Sequence, residues 1–261
     1  MARKKLFGIC ALCLQPNDLR RSHLLGRAIY QLNRDDTNDP VMMTPELITL
    51  TRRQIWRHLL CGDCEQRFNT HGESLIMRLV QRKTDFALLD RLSLAIPFNV
   101  EPNALAFSGS AVGIDTEQLA YFALSVLWRS GVREWRTLGQ QTTGISLGAF
   151  EEPIRKYLFG ETPFPAGVAV NVWVCTDIGS RFNTFFPYAV DTAYAMHSLL
   201  VRGLWFHITT GSNLPTYIRE LCCVSSARKV LFLRNSEREL LQAASHMHST
   251  AAVSPKLSAL A

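Results

Sequence analysis

The chain has 261 residues, 47% of them hydrophobic and 19% charged, a composition that belongs to folded globular proteins and excludes a disordered one. No apolar run reaches the roughly 18–20 residues of a membrane helix, because the longest stretch, 193–208, is broken by His197, Arg202 and His207. The net charge of +6 and the pI near 9.1 favour a polyanionic partner.

The charge is concentrated at the start. Arg3, Lys4, Lys5, Arg20, Arg21, Arg27, Arg34, Arg52, Arg53, Arg57, Arg67, Arg78, Arg82 and Lys83 all fall in the first third. No apolar signal-peptide core follows Met1, and seven is an odd number of cysteines, so the expected compartment is the reducing cytoplasm rather than a disulfide-forming one.

Residues 7–13 read as a short strand entering a knuckle, Cys10-Ala11-Leu12-Cys13, and Asn17-Asp18 reads as a turn. Over 19–32 a strand start gives way to a helical pattern, with Leu24, Leu25, Ala28, Ile29 and Leu32 at three- and four-residue spacing. A loop is expected at Thr37–Pro40. Residues 51–60 lead into a second knuckle, Cys61-Gly62-Asp63-Cys64. From Cys64 the apolar side of a helix runs through Phe68, Leu75, Ile76, Leu79 and Val80, weakened or split at 69–72. Two C-x2-C units with this separation read as a four-thiolate structural zinc site, Cys10, Cys13, Cys61 and Cys64. Such a site closes the intervening loop and fixes what it carries, which is Ser22-His23. That histidine either does chemistry or caps the metal loop. Cys175, Cys222 and Cys223 lie in apolar runs and read as small core residues.

A long apolar helix is expected over 115–135 and a second over 149–159, closed by Gly160. Beyond Pro163 and Pro165 the pattern alternates. Strands are predicted at 168–174, 185–190, 195–201, 204–209 and 229–233, with a hairpin turn at Arg202-Gly203. A helix over 236–246 follows, then a small, polar tail. The expected fold class is α+β: a zinc-knuckle ββα-type module (1–84), a helical and mainly antiparallel-sheet domain (85–249), and a disordered tail (250–261). The second domain shows no nucleotide or nucleophile motif and suits a homo-oligomer contact or a protein partner.

The order knuckle, Ser22-His23-Leu24-Leu25, knuckle, then Cys64-Glu65-Gln66-Arg67-Phe68 and a later glutamate resembles the zinc-stabilised branch of the HNH (ββα-metal) endonucleases. The resemblance covers residues 7–80, about a third of the chain. It implies a metal-dependent endonuclease that hydrolyses DNA phosphodiester bonds, in a setting such as restriction or antiviral phage defence. His23 would activate water. Glu65, with Asn69 or His71, would hold a divalent Mg²⁺ or Mn²⁺ on the scissile phosphate, with the four-residue spacing of 65 and 69 placing both on one helix face. Arg21 and Arg67 would position the nucleic-acid backbone. The chain departs from the family in two places. Glu65 stands where His or Asn is common, and the run Gln54–Leu60 before the second knuckle has no Asn. The departures leave a second expectation, a catalytically degenerate zinc module that binds nucleic acid or a protein partner.

Overall fold

Two short antiparallel pairs frame the cysteines. Strands Leu6–Ile9 and Pro16–Leu19 pair from Leu6 opposite Leu19 to Ile9 opposite Pro16, with the first knuckle as their connection. Leu14 adopts the left-handed conformation (φ 60°) and donates its N–H to the Cys10 carbonyl at 2.9 Å. The chain therefore reverses in the knuckle. Asn17 and Asp18, read from sequence as the turn, lie inside the second strand. Strand Arg21–His23 pairs with Trp56–His58, placing His23 opposite Trp56. Cys61 then caps the helix Gly62–Phe68, whose first turn carries Asp63 and Glu65, acids that suit the positive end of the helix dipole.

This computed structural model describes residues 6–34, 41–43, 47–50, 52–101, 104–137, 140–141, 145–191, 195–250 and 252–253. The expected loop at 37–40 lies outside the described residues except where it meets strand Val41–Met43, as do Arg3, Lys4 and Lys5.

The helix that leaves the second knuckle does not stop at residue 68. It widens into a π turn, Asn69–Glu73, and resumes as Ser74–Leu79. The weakness read at 69–72 is thus a single wide turn, the form in which a helix absorbs one extra residue. Gly72 is at its end and touches the next layer. A Cβ there would lie 2.9 Å from Phe122 Cα, so only glycine lets the two helices cross this closely.

Phe122 belongs to the central helix, Thr116–Val132, capped by Asp115, whose side chain accepts from Gln118 N at 3.1 Å. Buried residues run around its whole circumference, from Leu119 to Ser130. A helix with no polar face must be covered on all sides. Here the knuckle module covers one side and a seven-stranded sheet the other. The sheet order is Thr184–Asp191, Met196–Val201, Leu204–Thr210, Val168–Cys175, Val230–Arg234, Ala104–Ser108, Asn99–Glu101. Every neighbouring pair is antiparallel except Val168–Cys175 with Val230–Arg234. The turn Arg202-Gly203 has φ of 47° and 90°, the paired positive values of a tight hairpin.

The fold class is α+β with a mainly antiparallel sheet, as the pattern implies. Three features go beyond that pattern. Strands Asn99–Glu101 and Ala104–Ser108 extend the sheet. Among the described residues, one apolar core cluster runs from Cys10 through Phe122 to Leu231. The last helix, Glu237–Thr250, is followed by a two-residue strand, Ala252–Val253, parallel to Leu47–Leu50, where a disordered tail was expected. Residues 254–261 of that tail lie outside the described residues. No helix among the described residues is long and apolar enough to cross a membrane.

Candidate functional site

The four cysteines come together. The Sγ atoms of Cys10, Cys13, Cys61 and Cys64 all lie within 4.8 Å of one another, and Cys13 and Cys61 are 3.9 Å apart. Sulfurs around a tetrahedral ion at about 2.3 Å are separated by about 3.8 Å, so the group is positioned to hold a metal ion. Its electrostatics already favour a thiolate. The Cys10 thiol is held down to about 4, chiefly because Cys64 donates to it, with backbone N–H groups adding to the effect; Cys61 N donates to Cys10 Sγ at 3.3 Å. Cys64, the donor, is pushed up in turn. Four thiols in one space cannot all ionise without a cation among them. Cys175, Cys222 and Cys223 are fully buried, as core residues are.

His23 ends its strand half-buried. Burial pushes its imidazole below the usual value; the Gln54 side chain and Glu73 oppose this, while Arg129 and Arg27 reinforce it. The ring is therefore neutral near pH 7. Its backbone is gripped from the other half of the molecule. Arg129 of the central helix, 1% exposed, donates to the His23 carbonyl at 2.7 Å and to Glu73 Oε1 at 3.0 Å. Its guanidinium lies over Phe68, 5.2 Å from the ring centre. A second buried arginine, Arg155, does the same for the first knuckle. It donates to the Leu12 carbonyl at 2.6 Å and pairs with Glu152 and Glu161.

Glu65 points inward from the second-knuckle helix. Burial raises its carboxyl, the Ser22 hydroxyl and Arg129 pull it back, and Glu73 and Cys10 raise it further. Its Oε1 is buried with no hydrogen-bond partner. Glu65, Glu73 and Arg129 thus form one electrostatic group beneath the ribbon, linked to His23 through Arg129 and Glu73.

The other expected ligands do not join it. Asn69 is exposed and accepts from Ser74 Oγ at 3.2 Å. His71 is exposed, bonded to the Arg67 carbonyl at 3.0 Å and set against Tyr121 with ring centres 5.4 Å apart. The helix is still regular at Asn69, whose N–H donates to the Glu65 carbonyl, yet the Asn69 side chain turns to solvent and to Ser74. Among the described residues, the four cysteines alone gather three or more potential ligands this tightly.

The two arginines also part company. Arg21 is exposed on the ribbon, 4.2 Å above the Trp56 ring. Arg67 donates to the Leu158 carbonyl at 2.8 Å and abuts Gly160, so it closes the end of helix Glu151–Phe159 instead of facing a ligand. Sequence reasoning missed Arg129. The available signal was an arginine in an otherwise apolar helix, which cannot be buried unpaired.

No protein-family model matches the chain, and no match appears among curated proteins or solved structures.

Proposed function

We propose that the chain is a zinc-stabilised nuclease of the HNH type that hydrolyses DNA phosphodiester bonds. One observation carries the reading: a neutral, half-buried histidine, His23, is held at a strand end between two metal knuckles, with Glu65 and Glu73 behind it and arginines beside it. Zinc is the ion that suits four thiolates in a reducing compartment, and it would fix the ribbon without taking part in chemistry.

His23 accepts a proton from water as the water attacks phosphorus, a role that a neutral imidazole fills at pH 7, while the bond from phosphorus to one sugar oxygen breaks and that oxygen leaves protonated by solvent. Arg129 keeps that ring in place through the His23 carbonyl and holds Glu73 beside it. Arg21 positions a phosphate oxygen at the ribbon surface. The unpartnered Glu65 Oε1 fits a hard divalent cation; Mg²⁺ or Mn²⁺ held there would supply charge stabilisation to the phosphate.

Plasmid cleavage with Mg²⁺ or Mn²⁺, compared between the wild type and a His23→Ala variant that keeps its zinc, tests the reading. The expected result is cleavage that falls by about 10²–10⁴-fold in the variant. The acid limb should lie below the ordinary histidine value of 6.5, because burial holds His23 neutral to lower pH. No cleavage by the wild type overturns the reading.

A second reading is a non-catalytic zinc module that binds nucleic acid. It is favoured by the exposure of Asn69 and His71 away from Glu65. Its signature is DNA affinity that falls steeply with salt and no cleavage under any of these conditions.

A further inference from the structure

The ribbon face that carries His23 also carries an exposed tryptophan. Side chains of paired strands alternate in face, and directly opposed residues share one. Ser22 is buried, and Arg57 opposite it bonds to the Glu134 carbonyl. Arg21, His23, Trp56 and His58 therefore lie on the other face. Trp56 is 40% exposed, whereas Trp128, Trp135 and Trp205 are buried to 2% or less and Trp173 is half-buried. Arg21 lies over the indole at 4.2 Å, and the His58 ring meets its edge with centres 5.6 Å apart. Trp56 is the direct cross-strand partner of His23.

The segments that carry this platform are basic, with Arg57 on the inner face. Segments 20–34 and 52–60, which build the ribbon and its flanks, hold seven arginines (20, 21, 27, 34, 52, 53 and 57) and no Asp or Glu. Such a surface selects a polyanion. A flat aromatic ring within it selects a polyanion whose flat bases are accessible. In a duplex those base faces are hidden in the stack; in a single strand they are open.

We propose that this face binds single-stranded nucleic acid, with one unpaired base stacked on Trp56 and its phosphate on Arg21, so that the neighbouring phosphodiester lies beside His23. The proposal deepens the nuclease reading and rests on it for the part played by His23. Binding itself needs no cleavage. Trp56, at the surface, belongs neither to the thiolate group nor to the Arg129 cluster.

The test uses full-length zinc-loaded protein in a His23→Ala background, so that nothing is cut. Fluorescence anisotropy compares a labelled oligo-dT strand with a duplex of equal length at one salt concentration. Trp56→Ala should weaken the single strand about 10- to 100-fold and leave the duplex within about 3-fold, and Trp56→Phe should restore most of the loss. Single-strand binding should also quench the tryptophan emission of the parent and not that of Trp56→Ala. Unchanged zinc content and melting midpoint establish that the variants fold. Failure of the parent to bind the single strand, equal losses on both ligands, or no loss in Trp56→Ala overturns the proposal. Plasmid cleavage fails separately: an inactive wild type with this binding pattern intact sinks the nuclease reading alone.

Discussion

The ribbon that carries His23 and the seven-stranded sheet behind it use the same backbone ladder, yet they bury very different amounts of side chain. Of the three residues in strand Arg21–His23 only Ser22 is buried, and none of Trp56–His58 is. Strand Val168–Cys175 buries six of its eight residues and Leu204–Thr210 six of seven. An isolated two-stranded ribbon is marginal in water, so this one depends on what grips it: the four cysteines, the Arg129 contact to the His23 carbonyl, and Arg155 on Leu12. The sheet depends on contact area. The part proposed to do chemistry is thus held by charge and by four clustered thiols positioned for a metal, and the part behind it by burial.

The largest expected effect comes from the metal. Removing the zinc proposed for the four thiolates, by chelation or by Cys64→Ser, should remove stabilisation of order 10 kcal/mol from the module. Hydrogen exchange should show residues 6–80 losing protection while strands Val168–Cys175 and Leu204–Thr210 keep theirs. Simultaneous loss in both regions would break the comparison. Next is Arg129→Met, which leaves Glu73 and the His23 carbonyl without their buried partner. It should cost about 3–5 kcal/mol in urea unfolding. A cost below about 1 kcal/mol would show that Arg129 does not hold the module.

The sheet has its own, smaller lever. His207 is set against Trp173 and Trp205, with ring centres 4.9 and 5.9 Å away. Burial, helped by Arg234, holds its imidazole down to about 4. The unfolded chain binds that proton more readily, so stability is complete above about 6.5 and declines as pH falls toward 4, by up to about 3 kcal/mol. His207→Gln should flatten this decline, read as urea midpoints at several pH values. The same slope in the variant would move the acid sensitivity elsewhere.

What was legible in the sequence divides along chemical lines. The knuckles were readable because metal binding fixes the residue type and the spacing together. The break at 69–72 was readable because Asn-Thr-His-Gly interrupts an apolar stripe, although composition alone does not distinguish a π turn from a gap. Strands Asn99–Glu101 and Ala104–Ser108 were missed because they are short and flanked by Pro102 and Asn103, which read as loop. The parallel pairing of Val172 with Leu231 was beyond reach, since strands without a tight turn between them carry no local register signal. Glu73 reads from sequence as extending the row of Glu65 and Asn69, but its pairing with Arg129 was hidden for the same reason: the two are 56 residues apart and meet only after the central helix packs on the module.

The π turn has a consequence for helical phase. An α-helix advances about 100° per residue, so eight plain steps from Glu65 to Glu73 would leave the two carboxylates about 80° out of line. The extra residue taken up by Asn69–Glu73 makes those eight positions span about seven steps. The pair then falls within about 20° of the same side. A homologous chain one residue shorter at this point would keep its carboxylates aligned without any bulge. The pattern to seek in other sequences is therefore two acids seven apart after the second knuckle, not eight.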